Sequence, residues 1–534
     1  MKVVCLKNFR NGWATNSSST HSVVYRNKDE MLNDLNVMEE NFYDRYTDTI
    51  AASREAKIKY IAANIWCYES LFNIMCALYP EMKEYIPLID EYKKEAAENH
   101  HSYVEEKFGM YARGRLYFDN PQDLEASMDY LKRIIDDDDL IIVGGSDEEN
   151  FFYDTIQDHE RLVIPNGDTF KNGNYWVFYD NYGKRCRFTT KKGTECVPQY
   201  PELIDLKITN YCEHGCKFCY MDSNKNGVDA DFNDLTRVIY CLSKGFSDRH
   251  PRRIEFAIGG GNVLLYGQHL PKGGGKNDDL PPYYHLEKLF KFIKSQGHII
   301  NTTINAKDYQ KITEDHDLRR IFTSYVSGLG ISVCSEEDVE LLRKYGNWFN
   351  NGYINSSLDG ELKREVTIHL IPELLGLEKT IKFIKLLRER PEIEDEDEAM
   401  RYMCFYGSLL LGFKSNGRGK TQTPHVFTDD ELAQLFNNGY YMLIDTTFAN
   451  TYRNWLEKNL EVDHTVTWDE GEYSMYIDAV EMNAYKSSYD LSKPYNLKYD
   501  RDYSGHDRSW CTPDEAFHNI RKDNGFKNIK DLLK

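Results

Sequence analysis

The sequence predicts an α/β fold built around a parallel sheet, and three observations support this class. Between about residues 200 and 420, six apolar strand patterns alternate with helical patterns, as in parallel sheets covered by helices. Residues 1–195 combine helical patterns with closely spaced strands and turns, which is typical of an α+β domain. The 534 residues are enough for two to four domains. We therefore predict an amino-terminal α+β domain at 1–195, a parallel α/β region at 196–424 and a small extension at 425–534.

The amino-terminal region begins with two short strand patterns on either side of a polar segment. This segment, residues 16–21, is interpreted as a plain loop or, alternatively, as a recognition or modification segment. Helical patterns follow at 28–41, 50–79, 86–108 and 124–136, before a strand at 140–143. Strands at 162–164, 175–179 and 187–190 are separated by Asn-Gly and Tyr-Gly turns. We expect this region to pack on or cap the parallel region, and we assign it no function.

The parallel region is predicted from apolar runs of strand length that are followed by helical patterns. Its strands are expected at 203–208, 253–258, 299–304, 327–334, 365–371 and 408–414. Helices are expected at 231–244, 283–296, 336–345 and 377–389. Because parallel strands place their carboxyl ends at one edge, residues that follow these strands are the candidates for chemistry.

Three cysteines, Cys212, Cys216 and Cys219, follow the first of these strands at C-x3-C-x2-C spacing. Thiolates suit iron–sulfur clusters, and a [4Fe–4S] cube normally takes one cysteine per iron, so three would leave one iron open. A zinc knuckle is the alternative interpretation. Zinc sites usually need a fourth ligand nearby, and His214 lies inside the loop, where it is poorly placed to complete a tetrahedron.

The cysteine spacing resembles that of the radical S-adenosylmethionine (SAM) superfamily, and Phe218, just before the third cysteine, also fits that family. The resemblance implies that the open iron binds the amino and carboxylate groups of the methionine moiety of SAM. It also implies a partial, TIM-like (β/α)6 barrel of the radical SAM type, open rather than closed by eight strands.

A glycine turn, Gly259-Gly260-Gly261, ends the second predicted strand, and Asn262 follows it. Alone, a glycine triplet indicates only a tight turn. In the radical SAM family, a Gly-Gly-Glu-Pro-like turn at this position binds the methionine ammonium, and glycine lets the main chain approach closely. Here Asn262 replaces the Glu and Val263 the Pro, and an Asn carbonyl is still an acceptor for an ammonium.

Other polar residues at the same edge are weaker candidates. By the family resemblance, Ser332 contacts the ribose or the methionine carboxylate, unless it is an ordinary strand serine. For Asn305, a functional role and a structural role are equally compatible with the sequence. His369 lies in an apolar strand, which favours a hydrogen-bonded core histidine over a proton-transfer group. Lys414 and Arg418 follow the sixth strand, where they would pair an anionic group or stabilise a turn.

Residues 425–534 resemble the SPASM-type carboxy-terminal extension of peptide-modifying radical SAM enzymes. In relatives of this shape, auxiliary-cluster cysteines would fall near Thr447, Trp468 and Ser487, none of which is cysteine here. We therefore predict an extension that keeps its shape and has lost its cluster, with Cys511 as a stray thiol.

Composition narrows the classes of function. A net charge of −20 argues against broad binding of nucleic acid, because phosphate contacts need a basic surface. No apolar run approaches the roughly 18 residues of a membrane span, and the first residues lack the apolar core of a signal peptide. We expect a cytoplasmic protein whose 12 cysteines are reduced.

The resemblance implies reductive cleavage of SAM to a 5′-deoxyadenosyl radical, which abstracts hydrogen from a substrate. The cofactors would be a [4Fe–4S] cluster and SAM, and the reductant a flavodoxin or ferredoxin. A peptide or protein is the expected substrate, by analogy with SPASM-type relatives. Two alternatives remain: radical modification of a small molecule or nucleotide, and a non-catalytic iron–sulfur protein.

Overall fold

The computed structural model describes a defined part of the chain. These residues are 7–10, 22–23, 49–51, 54–65, 69–87, 90, 128, 131–132, 135–136, 142–144, 161–164, 167–180, 185–188, 195–244, 252–268, 281, 283–350, 353–355, 361–392, 404–437, 442–460, 462, 466–498 and 511–528. The chain divides into two compact units. The first comprises Met1–Lys7, Arg26–Asp180 and Cys186–Cys196, and the second comprises Asn8–Tyr25, Asn181–Arg185 and Val197–Lys534.

The strands are numbered in chain order. They are β1 (Lys7–Arg10), β2 (Ser22–Val23), β3 (Thr49–Ala51), β4 (Ile142–Gly144), β5 (Arg161–Ile164), β6 (Gly167–Asn172), β7 (Tyr175–Asp180), β8 (Arg185–Phe188), β9 (Leu203–Thr209), β10 (Glu255–Gly260), β11 (Ile299–Asn305), β12 (Gly328–Ser332), β13 (Tyr353–Asn355), β14 (Glu361–Lys363), β15 (Glu365–Leu370), β16 (Gly407–Leu410), β17 (Leu443–Ile444), β18 (Ser474–Asp478), β19 (Asn483–Tyr485) and β20 (Tyr495–Asn496).

The helices are numbered in the same way. They are α1 (Arg54–Ile65), α2 (Glu69–Leu78), α3 (Phe232–Lys244), α4 (Tyr284–Ser295), α5 (Ala306–Glu314), α6 (His316–Tyr325), α7 (Glu336–Tyr345), α8 (Pro372–Leu375), α9 (Leu377–Arg388), α10 (Asp429–Phe436), α11 (Thr446–Thr451), α12 (Arg453–Asn459) and α13 (Pro513–Asp523). Short 3-10 helices occur at Pro80–Tyr85, Val263–Leu265, Trp348–Asn350 and Gly417–Thr421.

The described part of the first unit contains helices and antiparallel strands. Strands β5, β6 and β7 form an antiparallel meander, and β3 pairs antiparallel with β4. Helix α1 buries Ile58, Ile61 and Ile65, whose spacing places them on one helical face. The range predicted as one helix, 50–79, begins in strand β3 and contains the helices α1 and α2. Most of the helices predicted at 28–41 and 86–108, and the polar segment 16–21, lie outside the described residues.

The second unit is organised by one eleven-stranded sheet. Its strand order is β2-β17-β16-β15-β12-β11-β10-β9-β18-β19-β20. The eight adjacent strands from β17 to β18 are parallel to one another. Strand β2 at one edge and strands β19 and β20 at the other pair antiparallel with their neighbours. All six predicted strands are present in the predicted order, which confirms a mixed α/β fold with a parallel sheet.

The parallel sheet is larger than the six strands predicted. Strands β17 and β18 come from the region interpreted as an extension, and β18 pairs parallel with β9, Ser474 facing Leu203. Strand β17 has only two residues, which is too short to show a period of two. The assignment of 425–534 to an extension, and the other domain boundaries, stay predictions.

The two faces of the sheet differ in polarity. On β9, Ile204, Leu206 and Ile208 pack in the main apolar core with the helices, while Asp205 and Lys207 alternate with them and are also buried. Burying each large apolar side chain contributes about 1.5–3 kcal/mol relative to exposure. The sheet is therefore held by its apolar face, and its opposite face carries polar groups.

Of the helices in the described part of the chain, none has both the length and the apolar character needed to cross a bilayer.

Candidate functional site

The three motif cysteines lie in the loop that follows β9 at its carboxyl end. All three are free thiols of intermediate exposure. Burial raises the pKa of Cys212 and of Cys216, and the charge of Cys219 raises both further. The Cys219 N–H donates to the Cys216 carbonyl at 3.3 Å, so these two cysteines lie in one tight turn of the loop.

Arg418 fixes this loop from a distant segment. The Arg418 guanidinium donates from Nε to the Cys216 carbonyl (2.8 Å), from one Nη to Asp222 (2.9 Å) and from the other to the Ser223 carbonyl (2.9 Å). Its backbone N–H donates to the Cys219 carbonyl at 3.0 Å. Arg418 thus stabilises the cysteine loop, which favours a structural role over pairing with an anionic ligand.

The glycine turn packs directly on the same loop. Gly260 has a φ of 116°, and a Cβ there would lie 2.3 Å from the Thr209 oxygen. A Cβ on Gly261 would lie 1.9 Å from the Tyr211 oxygen. The Gly261 and Asn262 N–H groups donate to those two oxygens, at 2.8 and 2.7 Å. Glycine is therefore required at positions 260 and 261 for the turn to approach the cysteine loop. Gly259, the first residue of the turn, lies on β10 opposite Lys207 of β9.

Asn262 joins His214 and Asp308 in a buried polar triad. His214 Nε2 lies 2.9 Å from Asp308 Oδ2, and Asn262 Nδ2 lies 3.0 Å from His214 Nε2 and 3.3 Å from Asp308 Oδ1. Asn262 Oδ1 accepts from the Leu264 N–H at 3.1 Å, which fixes the amide orientation. Since a carbonyl oxygen has two lone pairs, Asn262 Oδ1 keeps one acceptor position.

The triad also determines what His214 does. The hydrogen bond to Asp308 raises the pKa of His214, while burial opposes that shift. When His214 Nε2 donates to Asp308 Oδ2 and Asn262 Nδ2 donates to Asp308 Oδ1, each carboxylate oxygen of Asp308 accepts one hydrogen bond. Because its Nε2 is engaged by Asp308, His214 has only Nδ1 left for another partner. Sequence reasoning missed Asp308, although Asn305 three residues earlier is a helix-cap signal that could have drawn attention to it.

The remaining candidates occupy the carboxyl edge of the neighbouring strands. Ser332 at the end of β12 is paired in register with Asn305 on one side and His369 on the other. Asn305 caps helix α5 by accepting from the Asp308 N–H at 2.8 Å. His369 is buried against Gly330, where a Cβ would lie 2.5 Å from its ring, and burial with nearby Lys414 lowers its pKa to about 3. His369 is therefore neutral, as expected of a core histidine. Phe218, in the cysteine loop, is half-buried.

A second polar cluster lies beside the cysteine loop, and Lys414 is its one member that the sequence analysis named. Lys414 Nζ lies 4.8 Å from the ring centroid of Tyr220 and 4.9 Å from that of Tyr489. The Tyr489 hydroxyl donates to Glu470 Oε1 at 3.2 Å. Burial raises the pKa of Glu470 to about 8, and burial raises that of Glu373 to about 7. Lys414 thus contacts two aromatic rings near buried carboxyl groups.

The donor set fits an iron–sulfur cluster. Three soft thiolates in one loop are the ligands that a [4Fe–4S] cube takes one per iron. Within the described part of the chain, no three or more His, Cys, Asp or Glu side chains are grouped closely enough to hold a metal ion, the three motif cysteines included. Chemistry and spacing, rather than the positions of the sulfur atoms, make the cysteines candidate ligands of a cluster, with the glycine turn and Ser332 as the neighbouring candidate SAM contacts.

Comparison with known proteins gives weak similarities. No family model matches the chain, and no curated protein matches it. The structure of Streptococcus suis SuiB bound to precursor peptide SuiA is 10% identical, with a TM-score of 0.32, covering 54% of this chain and 60% of that one. SuiB bound to S-adenosylmethionine is 12% identical, with a TM-score of 0.34, covering 56% and 62%. The chain thus spans about three fifths of these SuiB chains. Likeness at this level carries no argument about fold or function, and the conclusions for this chain depend on its own residues.

Proposed function

We propose that this chain is a radical SAM enzyme with one [4Fe–4S] cluster, held by Cys212, Cys216 and Cys219. The observation that carries the proposal is the packing of the cysteine loop on the glycine turn at the carboxyl edge of a parallel sheet. When bound, the cluster supplies the electron that cleaves SAM to methionine and a 5′-deoxyadenosyl radical, which takes hydrogen from the substrate.

The chain's own residues hold and orient the reactants in this proposal. Arg418 keeps the loop carbonyls in place, so the thiols remain ordered. Asn262 accepts a hydrogen bond from the methionine ammonium through the second lone pair of Oδ1. Ser332 donates to the ribose or the methionine carboxylate from the adjacent strand end.

The proposed substrate is a peptide or protein, and the proposed reductant is a flavodoxin or ferredoxin. The support is the resemblance of residues 425–534 to SPASM-type extensions of peptide-modifying enzymes. Modification of a small molecule or nucleotide is the second candidate, because the polar face of the sheet is compatible with such a substrate as well as with a peptide.

Anaerobic reconstitution tests the proposal. Wild-type protein should bind about four irons per chain and, with dithionite and SAM, release 5′-deoxyadenosine. Cys212→Ala, Cys216→Ala and Cys219→Ala should each abolish iron binding, whereas Cys511→Ala, the matched control, should leave it unchanged.

Two other results would redirect the assignment. About eight irons per chain would reveal an auxiliary cluster in a chain predicted to lack one. A cluster that never yields 5′-deoxyadenosine would favour the non-catalytic iron–sulfur protein.

A further inference from the structure

A cavity of about 320 Å³ shares a wall with the cysteine loop. Tyr220 and Met221, which directly follow Cys219, line one side of it. Gly417 lines another side, and a Cβ there would lie 2.7 Å from the Cys219 oxygen. A group bound in this cavity would therefore lie beside the segment that carries the three thiols.

The charged residues among the described lining of the cavity are two lysines, Lys207 and Lys420, although the whole chain has a net charge of −20. Lys207 is almost fully buried and donates to Asp478 Oδ2 at 2.7 Å. Asp478 Oδ1 in turn accepts from the N–H groups of Val480 and Glu481. Because an ammonium has three donors, Lys207 is held in place by Asp478 and retains donors for a ligand.

Aromatic side chains supply the apolar part of the lining. Tyr220, Tyr476 and Tyr489 face the cavity, and Lys414 lies against the rings of Tyr220 and Tyr489. These cation–π contacts stabilise the two rings and place a positive charge within 5 Å of both ring centroids. Glu470, hydrogen-bonded to Tyr489, does not cancel that charge at neutral pH, since its pKa is raised to about 8 by burial.

We propose that this cavity binds a carboxylate-bearing segment of a peptide, one to two residues long. Its carboxylate lies toward Lys207 and Lys420, and its apolar part lies on the tyrosine rings. The lining thus combines polar groups with apolar ring surface in similar amounts, and convergent polar groups beside apolar surface are typical of ligand sites. The identification of this ligand as the substrate rests on the proposed radical SAM function, whereas its binding does not.

Binding is tested on the full chain without cluster or SAM, by calorimetry and saturation-transfer NMR. The probes are two acid–amide pairs: N-acetyl-Phe-Glu-amide with N-acetyl-Phe-Gln-amide, and N-acetyl-Phe with its amide. The first pair tests a side-chain carboxylate and the second a terminal carboxylate. At least one acid should bind about tenfold tighter than its amide, and this preference should weaken at high salt.

Exposed Lys420 provides the variants, because changing Lys207 would leave Asp478 buried without its partner. Lys420→Met should reduce the preference for the acid about fivefold, and Lys420→Glu should abolish or reverse it. Lys379 lies at an exposed position of α9, away from the cavity lining. Lys379→Met is therefore the matched control and should leave the preference for the acid intact.

Equal binding of acid and amide, no binding of either, or an acid preference unchanged in Lys420→Glu overturns the site. Iron content and 5′-deoxyadenosine release are measured separately in the wild-type protein. If these fail while the acid preference holds, the proposed function is wrong and the binding site stands.

Discussion

Arg418 shows how one residue connects distant parts of the chain at the candidate site. Sequence patterns identify the cysteines by their spacing and the glycine turn by its composition. They give no signal that Arg418, about 200 positions further on, contacts the cysteine loop. The same applies to Asp308, which meets His214 and Asn262 only because β9, β10 and β11 are adjacent in the sheet.

Arg418→Ala should lower iron binding while leaving the fold intact. Its guanidinium makes three hydrogen bonds to the loop, each contributing about 1 kcal/mol, so the loop should lose order without global unfolding. We expect a severalfold fall in iron content after reconstitution, with an intermediate value for Arg418→Lys. Arg320→Ala, which removes an ion pair with Glu287 on the surface, is the matched control. Full iron content in Arg418→Ala would show that the hydrogen bonds from Arg418 to the cysteine loop are not needed for iron binding.

Asn262→Ala should weaken SAM binding about 10- to 100-fold, the equivalent of one hydrogen bond to a charged group at about 1.5–3 kcal/mol. The measurement is equilibrium binding of SAM to the reconstituted protein. The change also removes a cap from Leu264, so Thr428→Ala, which removes a comparable cap from α10, controls for lost stability. Unchanged SAM affinity in Asn262→Ala would contradict the assignment of the glycine turn.

At the scale of elements, predictability followed the length and polarity of each segment. The six long strands of the parallel sheet have apolar runs that stand out from their surroundings. Helices α5 and α6 between β11 and β12, which are short and separated by Asp315 alone, were not predicted. Their caps, Asn305 and Asp315, were nevertheless visible in the sequence.

The strand ends also bring buried carboxyl groups together, and this has a consequence for stability. The folded pKa of Glu470, about 8, lies above the unfolded value of 4.5. Between these values the folded state binds more protons than the unfolded state, so stability falls as pH rises from about 4.5 to about 8. Glu470→Gln should remove this loss.

Urea midpoints at pH 5.5 and 7.5 measure the effect. Relative to wild type, Glu470→Gln should gain stability at the higher pH, by an amount on the order of several kcal/mol. Glu340→Gln, an exposed position on α7, is the control and should follow the wild-type dependence. Parallel pH profiles for Glu470→Gln and wild type would show that Glu470 is charged in the folded protein.

At the scale of the whole molecule, the sheet recruits strands from both ends of the second unit. Strand β2 pairs antiparallel with β17, Val23 facing Leu443, and β18 pairs with β9. Such long-range pairings leave no local signature in the sequence, because each partner is short and its neighbour is hundreds of residues away. The sequence could therefore predict the order of the central strands, while the strands that flank them required the structure.

The polar segment before β2 provides the last prediction. Residues 16–21 lie outside the described residues, and Ser22 begins the strand that pairs with β17. We expect deletion of residues 17–20 to leave iron content, 5′-deoxyadenosine release and substrate turnover unchanged. The sequence predicts a plain loop there, and shortening a loop by four residues changes stability by well under about 1 kcal/mol. Slower turnover with an intact cluster would instead show that the segment helps to close the site. Intact-mass analysis after turnover separates a third outcome: a loss of two hydrogens from this peptide would identify one of its serines as a target of the enzyme itself.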